Sequence, residues 1–156
     1  MALNARTGLP LETFGASGWV DMQQGLRLGI GRDDIDIGLS MPPLVVDDVV
    51  IVGAAMSPGG LAPYPSNVKG DIKAYDVRSG EELWTFKTIP EPGEFGYDTW
   101  LESSALITGN AGVWAPMSAD PELGLVYLPV EAPTNDYYGG HRPGNNLFSS
   151  SLVALD

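Results

Sequence analysis

Residues 74–84 read Ala74-Tyr75-Asp76-Val77-Arg78-Ser79-Gly80-Glu81-Glu82-Leu83-Trp84, and this stretch decides the fold. Apolar residues alternate into it from Ile72 and Ala74 and out of it at Leu83 and Trp84, while Arg78, Ser79 and Gly80 supply turn chemistry between them. The pattern predicts a β-hairpin. The Asp76 carboxylate can accept backbone N–H groups across the turn, and Gly80 can take the positive φ that other residues resist. Trp84 then falls on the outgoing strand. The same opening occurs at Ala2-Leu3-Asn4-Ala5-Arg6-Thr7-Gly8 and again at Ala154-Leu155-Asp156, so that Asn4, Asp76 and Asp156 are spaced by 72 and 80 residues.

Upstream, Leu44–Val46 and Val49–Val52 flank the acidic pair Asp47-Asp48 and read as a second hairpin. The two hairpins give four antiparallel strands over residues 43–88, joined by a Pro-, Gly- and Ser-rich loop over 57–70, and four such strands make one blade of a β-propeller. The pattern restarts with a strand over Val113–Ser118, a turn over Asp120–Gly124, a strand over Leu125–Val130 and another over Ser151–Leu155. Ala2–Asn4 and Leu11–Phe14 read as a closing hairpin. The expected architecture is therefore all-β: a partial propeller of four-stranded antiparallel blades, with 1–20 ending one blade, 40–90 forming a complete one and 110–156 supplying three strands of the next. The start at Met1 reads as the middle of a pattern, which suggests a fragment. An N-terminal strand that completes a neighbour's last blade would make the chain a homo-oligomer, about four copies closing an eight-bladed ring.

The composition fits that picture. Hydrophobic residues make up 44% and charged residues 18%, so the chain can fold, and the 20 glycines and 13 prolines are scattered between short apolar runs as many turns require. With 20 acidic against 8 basic residues the net charge is −12, which argues against a nucleic-acid partner. The absence of cysteine removes disulfides and thiolate chemistry. No apolar run is long enough to span a membrane, and the first residues do not read as a secretion signal.

At Ala74, Asp76, Ser79, Gly80 and Trp84 the spacing resembles the tryptophan-docking motif of quinoprotein propellers, AxDxxTGxxxW, with Ser79 in place of Thr. The first copy departs from it, because Glu12 stands where the Trp belongs. The resemblance extends through Ser40-Met41-Pro42-Pro43-Leu44, Pro92–Gly96, Val113–Asp120, Val126–Pro129 and Tyr138–Leu147, and it is to the glucose dehydrogenase branch of the pyrroloquinoline quinone (PQQ) dependent dehydrogenases. It implies an eight-bladed parent, a periplasmic location, and hydride transfer from a sugar or alcohol to the quinone, with an Asp as base and Ca²⁺ polarising the quinone oxygens.

Carried over position by position, the resemblance makes Trp114 the floor on which the quinone ring stacks, buried so that water is excluded. The calcium-binding Asn of the family falls on Ala132 and its calcium-binding Glu near Pro58, neither of which offers a side-chain ligand. Thr134, Asn135 and Asp136 lie beside the first gap and offer oxygens, and Arg142 can hold an anionic cofactor carboxylate. The resemblance places the catalytic Asp after Asp156, so the chain is expected to carry no catalytic residue and to be silent alone. The alternative function is a non-enzymatic propeller scaffold for protein contacts.

Other features read as structural. His141 and Arg142, among Gly139, Gly140, Pro143 and Gly144, read as turn residues, with the carboxylate clamp as the other reading of Arg142. Asp33, Asp34 and Asp36 lack the spacing of a calcium loop, since Ile37 sits at the sixth position where Gly is needed. Gly29 and Gly31 have neither the strand nor the helix of a phosphate loop. Trp19 and Trp100 read as packing residues, with Trp100 bordering the site mouth as the further option.

Overall fold

A computed structural model describes residues 1–28, 37–56, 64–65 and 67–156. The glycine and acidic positions 29–36, and Pro58, lie outside the described residues. The strands in chain order are β1 (Ile37–Gly38), β2 (Leu44–Val46), β3 (Val49–Val52), β4 (Ala55–Met56), β5 (Ile72–Asp76), β6 (Glu82–Phe86), β7 (Ser118–Asp120), β8 (Leu125–Val130) and β9 (Ser151–Leu155). One short helix, α1 (Ser104–Ile107), follows two 3₁₀ turns at Tyr97–Thr99 and Leu101–Ser103. The fold is mostly β, as expected.

The two predicted hairpins join into one antiparallel sheet of order β2-β3-β5-β6. Val46 pairs with Val49 around the Asp47-Asp48 turn, Val50 pairs with Tyr75, and Ala74 pairs with Trp84. A second sheet has the order β7-β8-β9, with Val126 opposite Leu155 and Leu128 opposite Val153. Side chains alternate across each strand, so Val126, Leu128 and Val130 of β8 turn inward while the residues between them are part-exposed. Ile51, Ile72, Ala74, Ile89, Trp100, Val113, Leu128 and Val153 belong to one buried cluster shared by both sheets. The small pair β1–β4 was not foreseen.

The Asp76 turn is built as its residues dictate. Asp76 Oδ1 accepts the N–H of Arg78 at 2.9 Å, the N–H of Ser79 at 2.6 Å and the Ser79 hydroxyl at 2.8 Å. Gly80 sits at φ +73°. The Asn4 turn repeats the geometry, with Oδ1 accepting from Arg6 and Thr7 at 2.9 and 3.2 Å and Gly8 at φ +71°. So does the Asp120 turn, with Glu122 and Leu123 donating at 3.0 and 3.1 Å and Gly124 at φ +70°. A carboxylate or amide oxygen four residues before a glycine therefore makes one local structure at three places.

Trp84 is half-buried and packs against the shared core. Its ring lines a cleft of about 350 Å³ whose other wall is formed by Asp120, Gly124, Val126, Leu155 and Asp156 of the second sheet. The indole thus faces the adjoining sheet. The Asn4 turn, which has Glu12 at the tryptophan position, is docked differently: Gly15 N–H donates to Ser79 O at 2.7 Å, and Phe14 lies over Gly80.

Two expected strands are corrected. Val113–Met117 pairs in no sheet among the described residues and bends at Ala115, and the strand begins only at Ser118. Pro116 has no N–H to donate, and the Trp114 carbonyl is taken by the Ser40 hydroxyl at 3.2 Å. Leu11–Phe14 is a turn, with Phe14 N–H bonded to Leu11 O and a single Leu3–Pro10 bridge in place of a ladder. Trp19, read as a packing residue, is more than half exposed. Trp100 is buried, and its indole N–H donates to Leu147 O at 2.5 Å.

Candidate cofactor site

Residues 109–114 thread between two loops, and that threading builds the site. On one side Asn110 N–H donates to Val68 O at 2.8 Å and Gly70 N–H to Asn110 O at 2.7 Å. On the other, Glu131 N–H donates to Gly112 O and Thr134 N–H to Gly109 O, both at 3.0 Å. Asn110 and Ala111, at φ +57° and +58°, are consecutive left-handed residues that are not glycine. Such strain persists only where the surroundings fix the backbone from both sides, as they do here.

Beyond this kink Val113 is fully buried while its neighbour Trp114 is 55% exposed. Among the described residues of this chain nothing covers the indole, so the burial expected for Trp114 is not supplied by residues 1–156 alone. Its indole presents an open face instead of a sealed one.

The end of β8 carries the polar groups. Glu131 follows Val130, and its carbonyl accepts Ser150 N–H at 3.1 Å, so its backbone is clamped on both sides. Burial pushes the Glu131 carboxyl up to about 7, the Asn110 side chain donates to it and pulls the other way, and the Asp136 charge adds a smaller upward push. Asn110 is 6% exposed; its amide nitrogen lies 3.4 Å from Ala132 O, while its Oδ1 is buried with no partner.

Arg142 packs its guanidinium against Gly139 and donates from Nη1 to Asn146 Oδ1 at 3.1 Å. Its Nε is buried without a partner. Burial lowers its basicity and the nearby Asp136 carboxylate restores part of it. Asp136 is therefore the charge common to Glu131 and Arg142.

The remaining candidates separate. Asn135 Oδ1 is taken by Tyr137 N–H at 2.8 Å, which makes Asn135 a turn residue in the same loop as Asp136. Thr134, offered as an oxygen ligand, is buried with its hydroxyl accepting Gly109 N–H at 3.1 Å, so it points into the fold. His141 Nε2 sits 2.9 Å from Thr134 O and braces that loop. Trp114, Asp136 and Arg142 all border the 109–114 and 131–146 segments. Glu131 and Asn110 were missed, since a lone Glu after a strand and a lone Asn between glycines carry no spacing signal.

The comparisons with known proteins agree with one another. The family model for PQQ, glucose/ethanol/alcohol dehydrogenase, beta-propeller domain, matches residues 1–156. The chain is 36% identical over 157 residues to the glycerol dehydrogenase large subunit of Gluconobacter oxydans (strain 621H), covering 100% of this chain and 20% of that protein. It is 30% identical over 161 residues to the quinoprotein glucose dehydrogenase of Escherichia coli (strain K12), covering 100% and 19%. Among solved structures it resembles the quinohemoprotein alcohol dehydrogenase from Comamonas testosteroni, with a TM-score of 0.59 and 28% identity over 73% of this chain and 18% of that one. The chain spans about a fifth of the length of the relatives it matches. It belongs to the β-propeller family of the PQQ-dependent glucose, ethanol and alcohol dehydrogenases.

Proposed function

We propose that the chain is the portion of a PQQ-dependent dehydrogenase for sugars or alcohols that supplies one face of the quinone site, and that it works in a periplasmic parent. The observation that carries this reading is Trp114, an exposed indole two residues beyond Gly112, whose carbonyl accepts the Glu131 N–H at the end of β8; Asp136 and Arg142, close enough to interact electrostatically, lie in the loop that follows β8. A flat exposed ring suits a tricyclic quinone, and the guanidinium suits its carboxylates. When bound, the quinone supplies a two-electron acceptor for hydride from the substrate carbon.

The chain's own residues do the holding. Trp114 gives the stacking surface, Arg142 the countercharge and the Asn135–Asp136 turn the rim. We read the two sheets as successive blades, and β9, which pairs only with β8 among the described residues, as the edge where a fourth strand adds, from the parent or from a second copy.

The family's metal is tested by the donors present. Ala132 offers none, Asn110 turns its amide N–H and not its oxygen to the Glu131 carboxyl, and among the described residues no group of three or more carboxylate or imidazole side chains is placed to hold a metal, so the donors present do not make up the family's calcium site. Among the described residues no helix is long and apolar enough to cross a membrane.

Tryptophan fluorescence tests the reading. PQQ titrated into the chain is expected to quench part of the emission of its four tryptophans, and Trp114→Phe is expected to remove that quenching. Quenching that survives in Trp114→Phe would sink the assignment. The second reading, a binding scaffold without redox chemistry, is favoured by the lost donor at Ala132; it predicts no response to PQQ at all.

A further inference from the structure

We propose that the Tyr138 ring is a binding platform on which a pyranose sugar lays its C–H face, so that Tyr138 selects ring sugars over open-chain polyols. The inference deepens the proposed function and rests on it for the reaction that follows, but the binding it describes belongs to this chain alone.

Tyr138 is 67% exposed, yet its ring is held in place. The phenol end lies on Gly140, where an added Cβ would stand 2.1 Å from Tyr138 Oη and 2.3 Å from Cζ. The His141 ring flanks it, with 6.2 Å between centroids and 40° between planes. His141 is itself fixed through Nε2 to Thr134 O at 2.9 Å. The turn that carries the tyrosine is closed by Tyr137 N–H on Asn135 Oδ1 at 2.8 Å and by Arg142 N–H on Gly139 O at 3.0 Å. Tyr137, still more exposed, shows the contrast, since its ring meets no other ring among the described residues.

The neighbours decide what lies on the ring. The Arg142 guanidinium packs on Gly139 as the Tyr138 phenol packs on Gly140, so two consecutive glycines each carry a planar side chain. Asp136 lies close enough to act on the Arg142 charge. A pyranose offers complements to all three groups. Its C–H face carries partial positive charge and meets the negative π face, and its hydroxyl rim can donate to a carboxylate and accept from a guanidinium. An open-chain polyol has the hydroxyls without the rigid C–H face. A wholly apolar ligand would desolvate Asp136 and Arg142 and return no hydrogen bonds. Arg142 is also the countercharge assigned to the quinone, which ties this turn to the quinone site.

Saturation-transfer NMR of methyl α-D-glucopyranoside with the 156-residue chain, without PQQ, tests this. Transfer from aromatic protons to the pyranose C–H protons is expected, and glycerol at the same concentration should show none. Tyr138→Ala should cut the transfer at least about fivefold, while Tyr138→Phe, which keeps the face, should retain it. Gly140→Ala should lower it as well, because the new methyl displaces the ring. Phe95→Ala removes another strongly exposed ring and should change nothing. Far-ultraviolet circular dichroism checks that each variant folds, which the exposed position of Tyr138 favours. No transfer in the wild type, equal transfer to glycerol, wild-type transfer in folded Tyr138→Ala or Gly140→Ala, or an equal loss in Phe95→Ala would each overturn the platform. PQQ quenching of Trp114, measured separately, tells the two proposals apart: quenching without sugar transfer sinks only the platform, and sugar transfer without quenching sinks only the quinone reading.

Discussion

The Phe14 ring covers Gly80 so closely that a Cβ added at Gly80 would lie 2.9 Å from Phe14 Cζ and 2.7 Å from Val20 Cγ2. The N-terminal segment therefore docks on the Asp76 turn through a residue the motif does not name, and it needs a glycine beneath it for two reasons, space and a φ of +73°. Gly80→Ala is expected to cost about 2 kcal/mol, read from urea midpoints. Gly93→Ala separates the reasons, because Gly93 has φ +89° with nothing within 4 Å and should cost only the backbone part, about 1 kcal/mol. Equal losses at the two sites would remove the role given to Phe14.

Asp76 gives a pH prediction. The Ser79 N–H and hydroxyl, then the Arg78 N–H, hold its carboxyl below the ordinary value. A depressed folded value means stability that is present above the unfolded value and lost as pH falls through the folded one, so the loss belongs below about pH 4. Asp76→Asn keeps the turn, as Asn4 shows at the matching position, and removes the titration. Its melting temperature should fall less steeply than that of the wild type as the pH drops below that value. Parallel curves would show that Asp76 is not part of acid unfolding.

Asp71 is a buried charge whose ion-pair partner among the described residues is Arg27. Its side chain is 1% exposed and is gripped by Arg27 through Nε and Nη2. Arg27→Met should cost about 3–5 kcal/mol by stranding the carboxylate, while the double change with Asp71→Asn should recover part of the loss. Urea denaturation of the four proteins closes the cycle, and additive losses would contradict the pairing.

The two faces of the second sheet differ. Leu128, fully buried, should cost about 2–5 kcal/mol on change to Ala, and Leu152, 71% exposed on β9, should stay within about 0.5 kcal/mol. A large loss at Leu152 would mean that another surface covers it in solution.

Short-range chemistry was legible from the residues alone. An oxygen side chain four positions before a glycine at positive φ makes the same turn at Asn4, Asp76 and Asp120, and alternation fixes the inward face of β8, because these depend on neighbours within a few residues. Tertiary structure decided the rest. It left Val113–Met117 without a sheet partner, since pairing depends on which carbonyls remain free after Ser40 bonds Trp114. It turned Trp114 outward and Thr134 inward. It also brought Asn110, Glu131, Asp136 and Arg142 to one place, four residues scattered over 33 positions whose common field arises only when the loops after β8 fold back on residues 109–114. Burial and charge act through space, and no spacing along the chain encodes them.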